Sequence, residues 1–287
     1  MFVALVCGCM VFLRSSLSPR DMLACLPPGE GPTLYLDVGL LRQTGILEQL
    51  AGKPGGEDAE YRQFVAASGF DYRRDLDAVL VQWRRGTALF VLKGRFDQEQ
   101  LETYVKRNAG TCARSYCSLA GSVPERRISF QPLGRRLMAL SAGTDPMGAA
   151  AIRENASQPG FVPPSGPAWI SLPASSLHNE PNLPLATSVV LEALQGAQRA
   201  VLTLEIHAEG LELALNAPCD SAARASVIVA RLTNATASLK ELIVRSGKPP
   251  DPTSPAAALS GGTFRAEQAA ARGRWPLSRA FLEGLGR

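Results

Sequence analysis

The sequence predicts an α+β fold of two related halves, each a mostly antiparallel sheet with helices packed on it. Three observations predict this. A strand-then-helix opening occurs twice; each opening is followed by a hairpin and a capped helix at nearly equal spacing; and a Pro/Gly-rich stretch separates the two runs.

The first 20 residues stand apart. "MFVALVCGCMVFLR" is an unbroken apolar run from Phe2 to Leu13, closed by Arg14. A bilayer-spanning helix needs about 17 to 25 residues, so the run is short for a span, whereas it matches the h-region of a secretory signal. We expect residues 1–20 to be a signal or membrane-anchor segment outside the core fold.

The first domain is expected over 27–155. In "LPPGEGPTLYLDVGLL" a strand from Thr33 to Val38 runs into helical spacing at Leu40, Leu41, Leu47 and Leu50. "AVLVQWRRGTALFVLKGRFDQEQLETYVKR" then gives a strand, a turn ending at Gly86, a second strand and a helix capped by Asp97, with Lys106 and Arg107 suiting its C-terminal dipole. The hairpin from Ala78 to Leu92 is apolar at almost every position, as strands covered on both faces are. "RISFQPLGRRLMALSAGTDPMGAAAI" reads as another hairpin and a short helix, with Pro132 and Gly134 fitting a type I turn whose glycine is left-handed.

"ASQPGFVPPSGP" marks a linker at 156–167, and the second domain, 168–287, repeats the order. Ala168 to Leu172 is the opening strand; a hairpin turns at Gly210; a helix starts near Asp220; and "GTFRAEQAAARGRWPLSRAFLEGL" supplies the last hairpin and helix. Eleven residues separate Gly86 from Asp97 and ten separate Gly210 from Asp220. Along 202–207 Thr203, Glu205 and His207 alternate with Leu202, Leu204 and Ile206, which predicts one wet face for the second sheet.

Composition narrows the function classes. The 287 residues are 46% hydrophobic and 20% charged, so the chain is globular, with room for two cores. A net charge of +4, from 30 basic and 26 acidic residues, comes without a concentrated basic tract. Doublets such as Arg84-Arg85 and Arg126-Arg127 are scattered, and the aromatic interleaving of single-strand binders is missing, so no nucleic-acid partner is expected.

Few residues offer chemistry. With two histidines, His178 and His207, a histidine-based metal or acid/base site has little material. Cys112 and Cys117 lack the second ligand pair of a structural zinc and follow a helix rather than open one, so a disulfide is the expected use. Cys219, just before Asp220, is expected to stay apart from that pair in a small apolar packing role. Asp71, Asp75 and Asp77 in "GFDYRRDLDAV" invite a cation site, but their spacing is not that of an EF-hand loop, and Arg73 and Arg74 stand among them as counterions. A capped, salt-bridged turn is the preferred reading. There is no nucleophile elbow, P-loop or dinucleotide fingerprint, so no catalytic, cofactor-binding or metal residues are assigned and no cofactor is expected.

The phrases "LPPGEGPTLYLDVGLLRQTG" and "ASGFDYRRDLDAV" followed by a hairpin resemble uncharacterised exported bacterial proteins of duplicated α+β architecture. That resemblance implies an exported or membrane-anchored protein, in bacterial periplasm or cell envelope, and carries over no activity or site residue. The functional expectation is a non-catalytic, membrane-tethered or secreted binding module, engaging a protein or envelope component through a sheet face or the cleft between its halves. The N-terminal segment would supply the membrane contact. The alternative is a divalent-cation-dependent hydrolase using the acidic loop.

Overall fold

The structure, a computed structural model, describes residues 17–51, 59–121, 123, 125–177, 184–207, 210–245 and 251–285. The N-terminal apolar run and His178 lie outside the described residues. Among the described residues, no helix is long and apolar enough to cross a membrane.

The chain enters through α1 (Pro19–Ala24), started by a capping box in which Ser18 Oγ accepts from the Asp21 amide and the Asp21 carboxylate accepts from the Ser18 amide. Strand β1 (Thr33–Leu36) passes through the Asp37 cap into α2 (Val38–Gln43) and then α3 (Ile46–Ala51), α4 (Ala59–Ser68) and the one-turn α5 (Tyr72–Asp75). Strands β2 (Leu76–Arg84) and β3 (Thr87–Gly94) form the apolar hairpin, closed by Arg85 and Gly86 at φ 44° and 79°, the left-handed pair of a two-residue type I′ turn. Helix α6 (Gln98–Arg107) starts on Asp97 as expected, its side chain accepting from the Gln100 amide. A small hairpin, β4 (Thr111–Ala113) and β5 (Tyr116–Ala120), precedes β6 (Arg127–Pro132) and β7 (Leu137–Gly143).

The second run is β8 (Ala168–Pro173), α7 (Leu185–Ala193), β9 (Arg199–His207), β10 (Gly210–Pro218), α8 (Ala222–Arg245), α9 (Pro255–Ser260), β11 (Thr263–Glu267), β12 (Ala270–Leu277) and α10 (Arg279–Leu285). At 24 residues α8 is far longer than α6, at 10.

Twelve strands among the described residues form one sheet in the order β11-β12-β10-β9-β8-β1-β2-β3-β7-β6-β5-β4, antiparallel throughout. The order unrolls from the central β8–β1 pair similarly on both sides, with opening strand, hairpin, then the later hairpin with its second strand innermost, and the first side alone adds β5 and β4 at its outer edge. Register pairs Leu34 with Ile170 and Tyr35 with Trp169 across that centre.

Strand alternation gives the sheet two unlike faces. Leu36, Leu92, Leu140, Leu202, Leu204 and Leu213 project towards the helices, with α6 over the first half, α2 and α3 over the middle, and α7 and α8 over the second half. The opposite face carries Tyr35, Leu80, Val91, Ala139 and Trp169, buried under Met22, Leu23 and Leu26 of the N-terminal segment and under Ile152 and Phe161. That cover accounts for the apolar hairpin of the first half. In the second half this face is bare from Glu205 onwards, so the expected wet face is present, but it starts later than the alternation implied. Thr203 is buried because Gly166 lies against it.

One turn differs from expectation. Gly134 is not left-handed, and the β6–β7 connection is a four-residue loop, Leu133 to Arg136, in which the Leu133 amide donates to Leu137 O at 2.9 Å. A loop of four residues needs no left-handed position at its second residue.

The end of α6 generates a prediction. Ala109, at φ 56°, holds the left-handed position after the C-cap, and the next amide, Gly110, donates back to Val105 O at 2.9 Å. Gly110 is required for another reason: a Cβ there would lie 2.7 Å from Ser118 O. Replacing Ala109 by Gly removes the left-handed penalty and is expected to stabilise the protein by about 1 kcal/mol. Urea unfolding measures it, and an unchanged or lower midpoint would refute this account of the helix end.

Candidate functional site

The helices leave part of the sheet uncovered. Helix α6 sits on β3 to β7, α2 and α3 sit at the end of β1 that holds Leu36, and α7 with α8 sits on β9 to β12. Between them a groove of about 1040 Å³ opens on the helical face. Its floor is Trp83, Phe90, Ile170, Leu202 and Leu213, drawn from strands of both halves, and its walls include Val190, Leu191, Leu259 and Phe281. Trp83 is 41% exposed, a large apolar surface left open to water beside the type I′ turn. Arg85 and Arg126 stand on the rim, both exposed, and no carboxylate pairs with either among the described residues. A volume and lining of this kind fit a ligand with a sizeable apolar body.

The acidic loop is a fully engaged turn. Asp71 caps α5, accepting from the Arg73 amide and the Tyr61 hydroxyl at 2.9 Å each. Asp75, 8% exposed, is held by Arg74 at 2.6 Å and Arg95 at 3.2 Å, and also accepts from the Asp71 amide. The Arg74 hydrogen bond is the main reason its carboxyl lies below the usual range, against the opposing pull of burial. Asp77 pairs with Arg136. The three carboxylates thus point to three sets of cations and amides rather than to one centre.

Cys112 and Cys117 face each other across β4–β5 and are joined, with S–S 2.06 Å. The link closes the β4–β5 hairpin, and it seats Cys117, fully buried, against Leu101, Val105 and Phe130. Cys25 and Cys219 are free and buried, and burial pushes both thiols up. Cys219 packs with Ala217, Ala225 and Ala271, the small apolar role its position implied.

His207 lies on the wet face at the end of β9, its Nε2 3.4 Å from Glu205 and 3.8 Å from Glu212. Glu205 and Glu212 sit directly opposite each other across β9–β10, an unfavourable pairing of like charges unless cations share the space. Arg274, 2.9 Å from Glu212, supplies that cation, and the His207 ring lies beside both carboxylates. This is the one group of three potential metal donors among the described residues, its ligand atoms within 4.8 Å of one another. Sequence spacing missed it because Glu212 arrives from the partner strand.

No family model and no curated protein matches the chain. Among solved structures it is similar to two crystal forms of TP0453, a bacterial protein. Form I has a TM-score of 0.49 at 11% identity, covering 95% of this chain and 98% of the other. Form III has 0.48 at 10%, with the same coverage.

Two outcomes follow from this geometry. Asp75 titrates below its unfolded value, so its contribution is fully present above the ordinary carboxylate range and is lost as pH falls through the folded value. Asp75→Asn should therefore cost roughly 2 kcal/mol near neutral pH and progressively less in acid. Unfolding curves against pH check it, and a pH-independent difference would remove the ion pairs as the cause. Peptide mapping under non-reducing conditions should recover Cys112 linked to Cys117, with Cys25 and Cys219 resisting alkylation until the protein unfolds. Alkylation of Cys112 and Cys117 in native protein would disprove the staple.

Proposed function

We propose that this protein is a non-catalytic binding module of two related halves that acts outside the cytoplasm, secreted or membrane-tethered by its N-terminal segment, and holds an apolar, chain-bearing molecule in the groove. The groove carries the reading. It is an opening of about 1040 Å³ with a mainly apolar wall, and its rim arginines, Arg85 and Arg126, pair with no carboxylate among the described residues. The floor needs strands of both halves, so binding would depend on their being joined. The mirrored strand order about β8–β1 supports descent of the halves from one unit.

Export is supported by two features. The Cys112–Cys117 link persists best in an oxidising compartment. The apolar run from Phe2 to Leu13 has the length of a signal h-region. The non-catalytic part rests on the engagement of Asp71, Asp75 and Asp77 by their own cations and caps.

A fluorescent long-chain fatty acid tests the groove directly. Saturable binding is expected, weakened about tenfold by Trp83→Ala, which removes an exposed aromatic from the floor. Leu191→Glu, which sets a charge on the wall, should weaken it further. Absence of saturable binding, or wild-type affinity in both variants, would refute the reading.

A further inference from the structure

The face opposite the groove holds a second, smaller pocket at the same seam, with charged and polar side chains set among apolar ones. The Pro27–Gly31 loop and residues 157–161 arch over the centre of the sheet and enclose a pocket of about 280 Å³. Its floor includes two polar side chains that are almost wholly buried, Thr33 at 1% and Gln82 at 6% exposure, with Gln82 Nε2 donating to Thr33 Oγ1 at 3.0 Å.

Two arginines line it. Arg84 is clamped in place: its guanidinium donates to Gln82 Oε1 and to the carbonyls of Pro28, Pro27 and Gly29 at 2.7, 2.6 and 2.8 Å. All four acceptors are neutral. Gly31 allows the loop this close, since a Cβ there would lie 2.1 Å from Trp83 O. Arg199 comes from β9, its side chain 14% exposed, and donates to Ser171 Oγ at 3.0 Å and Glu30 Oε1 at 2.8 Å. Its guanidinium lies 4.8 Å above the ring centroid of Phe161.

The charges in this pocket do not balance. Among its lining residues Glu30 is the single carboxylate, and it is 63% exposed, while two guanidinium groups are partly withdrawn from water. A guanidinium has five N–H donors. Arg84 spends four of them on its clamp, and Arg199 has spent two, which leaves most of the Arg199 fork without an acceptor among the described residues. Planar N–H pairs of this kind match the geometry of an oxyanion. At about 280 Å³ the volume suits a small molecule and falls short of the apolar groove.

We propose that this pocket binds the oxyanion group, a carboxylate or a phosphate, of a small molecule, with Arg199 as its direct donor, Arg84 as a fixed positive charge beside it, and Gln82 and Thr33 as the polar floor. In this arrangement Glu30 is a built-in competitor. It occupies one arm of Arg199 from a solvent-exposed position, and an incoming anion takes that arm over.

Calorimetric titration of the full chain with inorganic phosphate, and separately with succinate, in low-chloride buffer tests the proposal. Saturable binding tighter than about 1 mM is expected for at least one of the two, and which one binds identifies the source of the oxyanion. Arg199→Met should reduce affinity at least about tenfold, with Arg199→Lys intermediate. Glu30→Gln should raise affinity, because it frees the Arg199 arm without touching the fold, an effect that a purely structural arginine would not produce. Fatty-acid binding measured in the same variants reports that the protein is folded and keeps the two sites separable. If neither anion saturates, or if Arg199→Met and Glu30→Gln both retain wild-type affinity, the proposal is overturned while the groove reading stands.

Discussion

The pairing of β1 with β8 is the constraint on which the rest of the structure depends. Four cross-strand pairs, from Thr33–Ser171 to Leu36–Ala168, join two runs of strands that would each otherwise present an open edge at the centre. Cross-strand pairs contribute roughly 0.2–1 kcal/mol apiece, so so short a ladder is modest by itself. Burial decides the matter. Trp169, 1% exposed, stacks on Tyr35 at 5.5 Å and meets Phe161 edge-on at 5.6 Å. Burying one large side chain is worth about 1.5–3 kcal/mol and an aromatic pair adds about 0.5–1.5 kcal/mol. The seam is therefore held more by what covers it than by its hydrogen bonds. The cover comes from α1 and from the stretch that sequence composition marks as a linker.

That cover also explains why the halves differ despite their matching strand order. The first half has α1, the loop to β1 and residues 153–161 laid over the face opposite the helices, and its hairpin is apolar on both sides accordingly. The second half has no equivalent among the described residues, and its exposed face is paved with Glu205, His207, Glu212, Arg272 and Arg274. Charges there offset one another across strands, which keeps an uncovered sheet face compatible with water. The long α8 compensates on the other side, burying Ala225, Ile228, Leu232 and Ala235 in the core of the second half.

Features set by local chemistry were legible in the sequence. The Asp97 cap, the Gly86 turn, the Cys112–Cys117 link and the Arg74 counterion of Asp75 all follow from residues within a few positions of one another, whereas Arg95 and Arg136 reach the acidic turn from later in the chain. Where expectation and structure part, distant chain is responsible. Thr203 reads as a wet-face residue until Gly166, from another segment, closes over it. Gly134 reads as a left-handed turn residue until the strand register lengthens the loop. The groove and the arginine pocket were invisible for the same reason: Trp83, Ile170 and Leu213 look like ordinary core positions, and Arg84 and Arg199, more than a hundred residues apart, meet only because β2, β1, β8 and β9 are consecutive in the sheet.

Alternation along β2 ties the two sites together physically. Gln82 and Arg84 point into the polar pocket while Trp83, between them, floors the apolar groove, since neighbouring residues on a strand face opposite ways. Across the seam the same holds for β8, where Ile170 faces the groove and Ser171, its neighbour, accepts from Arg199 on the other side. A shift in strand position of one residue would exchange the two linings completely, placing a tryptophan among the arginines and a glutamine in the apolar floor. The register of this central ladder is thus held chiefly on the face opposite the helices. At one end of the ladder the stacking of Tyr35 on Trp169 rejects slippage, and beside it on the same face the buried polar set of Thr33, Gln82 and Ser171 does so, because each of those side chains would lose its partner in an apolar setting. Aromatic stacking and a buried polar set, side by side on one face of a short ladder, give the seam a specificity that its few hydrogen bonds could not supply.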